Sequence, residues 1–108
     1  MKTSEIIKQQ IADNPVIIYM KGVPDAPQCG FSGNAVMALK STGVPFSFVD
    51  ILANMRIKEA LPEVSGWPTF PQVFVGGELI GGGDIVVELA TKGELRAVLE
   101  EATAKTEA

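Results

Sequence analysis

Five consecutive apolar residues, Val16-Ile17-Ile18-Tyr19-Met20, stand out along the chain. The run is short, rich in β-branched side chains and free of alternation, which predicts a strand buried on both faces of a sheet. Before it, Ile6, Ile7 and Ile11 fall close to one helical face of residues 3 to 13, with Lys8, Gln9, Gln10 and Asp13 mostly elsewhere. Asn14-Pro15 ends that helix, because proline disfavours α geometry in the residue before it. After the strand, residues 21 to 28 hold two prolines, a glycine and an aspartate and read as a loop. A helix is predicted from Cys29 or Gly30 to Lys40, with Gly43 as its stop. Phe46 to Asp50 alternates partially and reads as a second strand; Ile51 to Leu61 reads as a short helix closed by Pro62.

The second half changes character. Gln72 to Val75, Gly76-Gly77 and Glu78 to Ile80 predict a β-hairpin with a two-glycine turn. A helix from Asp84 through Ala90 is broken by Gly93, and Leu95, Val98, Leu99 and Ala102 mark a final amphipathic helix. The order β, α, β makes the first two strands parallel, joined by a right-handed crossover. The expected class is therefore α/β, a thioredoxin-like fold whose four-stranded mixed sheet is flanked by helices on both faces. The 108 residues read as a single domain with a core of about 4–103, the segment 104–108 being expected to fray.

Composition narrows the chemistry. The longest apolar run is far short of the roughly 20 residues a membrane span needs, and the N-terminus lacks the apolar stretch of a secretory signal. A net charge of −4 without a basic stripe argues against nucleic-acid binding. With no histidine, Cys-His and Ser-His-Asp catalysis and imidazole metal sites are absent. With one cysteine, no internal disulfide forms, which fits a reducing compartment.

Cys29 is therefore the chemical centre. At a helix start it meets unpaired N–H groups and partial positive charge, which favour the thiolate and lower its pKa; Lys21 adds a cation from the strand end. Ser32 stands where a Cys-x-x-Cys protein has its second thiol, so any mixed disulfide on Cys29 needs an external thiol to resolve it. Trp67-Pro68-Thr69-Phe70-Pro71 reads as a rigid lead into the hairpin, or as a cis Phe70-Pro71 bond that turns the Phe70 backbone toward Cys29 for pairing with a peptide-like ligand. Gly81-Gly82-Gly83-Asp84 offers a helix N-terminus for a carboxylate and an aspartate for an ammonium, or simply a capped turn. Lys58 reaches a carboxylate from the third helix, or is solvated surface. Together these groups complement glutathione, with its two carboxylates, one ammonium, peptide backbone and thiol.

Lys21-Gly22, Cys29-Gly30-Phe31-Ser32, Trp67-Pro68-Thr69-Phe70-Pro71-Gln72 and Gly81-Gly82-x-Asp84 give the chain a clear resemblance to the monothiol glutaredoxins of the Cys-Gly-Phe-Ser type, covering about residues 4 to 103. The resemblance implies a cis proline at Pro71 and glutathione held by Lys21, Lys58, the Phe70 backbone, Gly83 and Asp84. It implies a [2Fe-2S] cluster bridging a homodimer, with Cys29 of each chain as metal ligand and two glutathione thiols completing the set. It also implies a BolA-like partner, delivery to apo iron–sulfur proteins, and a bacterial cytoplasmic or organelle-matrix location. Two positions depart from the family pattern: Lys58 stands where arginine is common, and Gly83 where cysteine or serine is frequent. Three functions follow as expectations. The first is cluster storage or transfer. The second is glutathione-dependent thiol-disulfide oxidoreduction (protein deglutathionylation) with Cys29 as the catalytic nucleophile. The third is regulation through heterodimers.

Overall fold

A computed structural model describes residues 2–107; Met1 and Ala108, the last residue of the segment expected to fray, lie outside the described residues. The apolar run forms strand β1 (Val16–Met20), buried at every position. Its alternate residues feed two different cores. Val16, Ile18 and Met20 pack with Val36 and Leu39 of α2 (Gly30–Ser41), Val86 of α4 (Gly83–Thr91) and Leu95 and Leu99 of α5 (Leu95–Glu107). Ile17 and Tyr19 pack on the other face with Ile7 and Ile11 of α1 (Thr3–Asp13) and with Ile57 and Leu61 of α3 (Met55–Ser65). Two-sided burial is why the run does not alternate. Each such side chain contributes about 1.5–3 kcal/mol relative to exposure.

The short segments Gly22–Val23 (β2) and Ala26–Pro27 (β3) pair with each other, and the main sheet is completed by β4 (Ser47–Asp50), β5 (Gln72–Val75) and β6 (Glu78–Gly81). The strand order is β4-β1-β5-β6. β4 is parallel to β1, and β5 and β6 form the antiparallel hairpin. This is the mixed sheet between helical layers that the hydrophobic pattern predicts, with α2, α4 and α5 on one face and α1 and α3 on the other.

Three local departures have physical causes. Residues 21 to 28 are not an open loop: Gln28 N–H donates to the Lys21 carbonyl at 2.9 Å, closing the β2–β3 ribbon. Gly22 sits at φ 92°, and a Cβ there would lie 2.7 Å from the Ala26 carbonyl oxygen, so only glycine fits. The third helix starts at Met55 rather than Ile51, because Asp50 captures the Leu52 N–H on its carboxylate and the Asn54 side chain on its carbonyl. Such local bonds compete with helix. That helix also runs through Pro62 instead of ending before it. The proline removes only the bond to the Lys58 carbonyl. Termination falls to Gly66 in the left-handed conformation, whose N–H returns to the Pro62 carbonyl. At the C-terminus, where fraying was expected from 104, α5 is helical through Glu107.

Candidate functional site

Cys29 occupies the N-cap of α2 in extended backbone (φ −151°, ψ 136°), and its carbonyl accepts the Gly33 N–H at 2.9 Å. The thiol is half-buried. The Ser32 and Phe31 N–H groups, aimed at the sulfur from the first turn, hold its pKa below the usual thiol range. The Lys21 charge and the Ser32 hydroxyl add smaller contributions in the same direction, and desolvation opposes them. The helix start is thus the main activator and Lys21 a secondary one.

Ser32 is completely buried, and its hydroxyl accepts the Lys21 N–H at 3.1 Å. It pins the end of β1 to the first turn of α2, so the cation and the thiol are held on adjoining elements. A second fixing point lies at Asp50. One carboxylate oxygen accepts the Gly22 N–H at 3.0 Å and the Leu52 N–H at 2.9 Å, tying the segment after Lys21 to the lead-in of α3. Nothing in the sequence pattern singled out Asp50; its partner at Gly22 is 28 residues away.

The five residues expected to hold a ligand, Lys21, Lys58, Phe70, Gly83 and Asp84, all line one cleft together with Cys29. Its volume of about 870 Å³ lies within the range of small-molecule sites. One wall is the face of α3 formed by Met55, Lys58, Glu59 and Pro62, spaced i, i+3, i+4 and i+7. The opposite wall is the start of α4. Its N-cap is Gly82, and Asp84 sits in the first turn, exposed and making no capping bond. Gly83 is buried, and a Cβ there would come within 3.1 Å of the Phe31 carbonyl oxygen. The absence of a side chain therefore lets α4 approach α2 closely.

The floor is the 67–71 segment. The Phe70-Pro71 bond is cis. The Trp67 and Thr69 carbonyls are occupied by the Gln72 side chain, and among the described residues nothing bonds to the Phe70 backbone between them. The rim is apolar: Phe31, Met55, Trp67 and Ile85 are all exposed. Glu59, Met55 and Ile85 were not singled out from the sequence; the i, i+3, i+4, i+7 row on α3 was the signal available for the first two.

An activated thiol on a helix N-cap, beside a peptide-sized cleft in a thioredoxin-like sheet, defines a thiol protein of the thioredoxin-like class. Within that class, the family model for glutaredoxin matches residues 16–80. A relative from Haemophilus ducreyi, Glutaredoxin 4, is 53% identical over 105 residues, covering 97% of this chain and 98% of its own. The reduced apo form of poplar GrxS14 superposes with a TM-score of 0.78 at 43% identity, covering 93% of this chain and 92% of that one. A buckwheat glutaredoxin in complex with glutathione gives 0.80 at 27% identity, covering 94% and 91%. The chain belongs to the glutaredoxin family, and with Cys29 as its one cysteine it is a monothiol member.

Proposed function

We propose that this protein binds glutathione in the cleft and carries a [2Fe-2S] cluster, shared between two subunits, for delivery to apo iron–sulfur proteins. The observation behind the reading is the solitary thiol at the cleft. Cys29 is activated and half-buried, and the buried Ser32 hydroxyl stands where a second thiol would close an internal disulfide. Such a cluster takes four thiolates. Among the described residues no group of three His, Cys, Asp or Glu side chains stands together, and each chain offers one thiolate. Two chains and two glutathione thiols supply the set, so the donor present fits the cargo as half of a shared site. A BolA-like protein is the expected alternative partner to the second copy.

The cleft suits the co-ligand. Lys21 and Lys58 provide charge for one carboxylate, and the N–H groups at Gly83 for the other. The Phe70 backbone pairs with the tripeptide as an added strand, and Asp84 receives the ammonium. The glutathione complex of the buckwheat relative supports this use of the fold. Anaerobic reconstitution with iron, sulfide and glutathione is expected to give a coloured dimer, and Cys29→Ser to abolish colour and dimer together. Colour that persists in Cys29→Ser, or forms without a thiol co-ligand, would overturn the cluster reading.

The lowered thiol pKa favours one further activity. The Cys29 thiolate attacks the glutathione sulfur of a protein–glutathione disulfide, and the protein sulfur leaves as thiolate and takes a proton. A second glutathione thiolate then attacks the glutathionyl sulfur on Cys29, forming glutathione disulfide and releasing the Cys29 thiolate. Steady turnover of a glutathionylated peptide, lost in Cys29→Ser, is the expected result. Negligible turnover by the unaltered protein would remove this activity.

A further inference from the structure

Gln72 is the first residue of β5, and its backbone is fixed opposite Tyr19 in the centre of the sheet. Its side chain is completely buried. The two N–H bonds of the carboxamide point at two carbonyls of the preceding segment, Trp67 at 2.8 Å and Thr69 at 3.1 Å. These contacts also decide which amide atom is nitrogen, since carbonyl oxygens require donors. The amide oxygen Oε1, in contrast, is buried with no partner. A buried acceptor left unpaired destabilises a fold, so an apolar side chain of similar shape would serve packing better. What that side chain would lack is the pair of donors.

We infer that Gln72 is the positioning residue of the cleft floor: its two N–H groups clamp the Trp67 and Thr69 carbonyls and so hold the 67–70 arch against the sheet, in the arrangement that presents the Trp67 ring and the Phe70 backbone to the ligand. The clamp spans the exposed part of the segment. Trp67, Pro68 and Thr69 are exposed, whereas Pro71 and Gln72 are buried. The Trp67 backbone N–H donates to the Ser65 hydroxyl at 3.1 Å, and that hydroxyl reaches the Trp67 carbonyl at 3.5 Å, but Ser65 is the last residue of α3, so Gln72 supplies the arch's bonds to the sheet. The Trp67 ring reaches across to α4, its Nε1 lying 3.6 Å from the position of a Cβ on Gly82. Loosening the arch therefore opens both the floor and the contact between floor and α4 wall.

This inference rests on the proposed glutathione reading only for its effect on affinity; the hold on the arch is testable without ligand. Trp67 is the sole tryptophan in the chain and lies in the arch, so its fluorescence reports the arch directly. Two variants separate the donors from the shape. Gln72→Met keeps the length and removes all polarity. Gln72→Glu keeps the shape and replaces the donors by an acceptor. Both are expected to raise acrylamide quenching of Trp67 in the folded, ligand-free protein. Both are also expected to weaken glutathione binding about tenfold, the scale of losing two ordering hydrogen bonds. Gln72→Met should retain the cooperative thermal transition, because it also removes the orphan oxygen. In the unaltered protein, the Gln72 side-chain amide protons should exchange with solvent far more slowly than those of an exposed glutamine. Unchanged Trp67 quenching in a folded variant overturns the inference. If neither variant folds, amide protons that exchange at the free rate in the unaltered protein overturn it. If the unaltered protein binds no glutathione, the functional reading fails, and the quenching and exchange results still decide the role of Gln72.

Discussion

At the scale of single residues, the chemistry gathers on Cys29 and on the two residues that hold its setting, Ser32 and Gly22. Backbone N–H groups of α2 favour the thiolate, so the thiol ionises below the usual range. Alkylation of the folded protein should therefore reach half its maximal rate at a lower pH than alkylation of an unfolded control. A lowered folded-state pKa also fixes the sign of the coupling to stability. The thiolate contributes stability above the unfolded thiol's pKa, and that contribution disappears as pH falls through the lowered folded value. Ser32→Ala removes the hydroxyl near the sulfur and the acceptor of the Lys21 N–H. It is expected to move the alkylation midpoint up and to cost about 1–3 kcal/mol in a denaturant titration, since a partly buried donor loses its partner. Gly22→Ala forces a side chain into positive φ, which alone costs about 1–3 kcal/mol. The contacts with the Ala26 oxygen and the Gln28 nitrogen add to that, so its urea midpoint should fall by more than that of Ser32→Ala.

At the scale of elements, most of the pattern was legible. The run at β1, the two-glycine hairpin and the helix opening at Cys29 stand where periodicity and turn residues put them. Of the isoleucine row in α1, Ile7 and Ile11 are buried and Ile6 is exposed, because the face packed on α3 and the sheet is narrower than the row. These signals are local. The failures at α3 came from Asp50, whose carboxylate and carbonyl divert residues 51 to 54 into a turn, and from reading Pro62 as a stop when it costs one bond near the helix end. The same carboxylate fixes Gly22 and thereby the segment next to Lys21. Asp50→Ala releases both N–H groups together. It is expected to cost about 1.5–3 kcal/mol, the scale for bonds to a charged group. It should also slow Cys29 alkylation at neutral pH by letting Lys21 drift, whereas a purely local role would leave alkylation unchanged.

At the scale of the whole molecule, the sheet brings five separated segments to one cleft, and two unpaired cations come with them. Lys40, Lys92, Arg96 and Lys105 are each paired with a carboxylate away from the cleft. Among the described residues, Lys21 and Lys58, both lining the cleft, have no such partner. Among the same residues, Lys2, Lys8 and Arg56 also lack a carboxylate partner but lie outside the cleft, so a chain of net charge −4 sets two of its five unpaired cations along that one cavity. Under the proposed function, Lys58→Glu should weaken glutathione binding about tenfold, as repulsion replaces attraction at a partly desolvated site. Lys58→Arg should tighten it, because the guanidinium restores a two-pronged grip on carboxylate. Calorimetric titration at two salt concentrations checks both, and the Lys58 contribution should shrink at the higher salt.

What the sequence determined by itself was everything governed by neighbours along the chain: strand and helix periods, the glycine turns, and an activated thiol at a helix start. What only the tertiary structure decided was governed by groups far apart in sequence. It chose which face of α3 becomes a cleft wall, it joined Asp50 to Gly22, and it closed α4 onto the Phe31 carbonyl through Gly83. It also buried the amide of Gln72 beneath the arch it clamps. Periodicity records how a side chain relates to its own backbone. A hydrogen bond or a shared cavity depends on where two backbones meet, and that is fixed only when the sheet has formed.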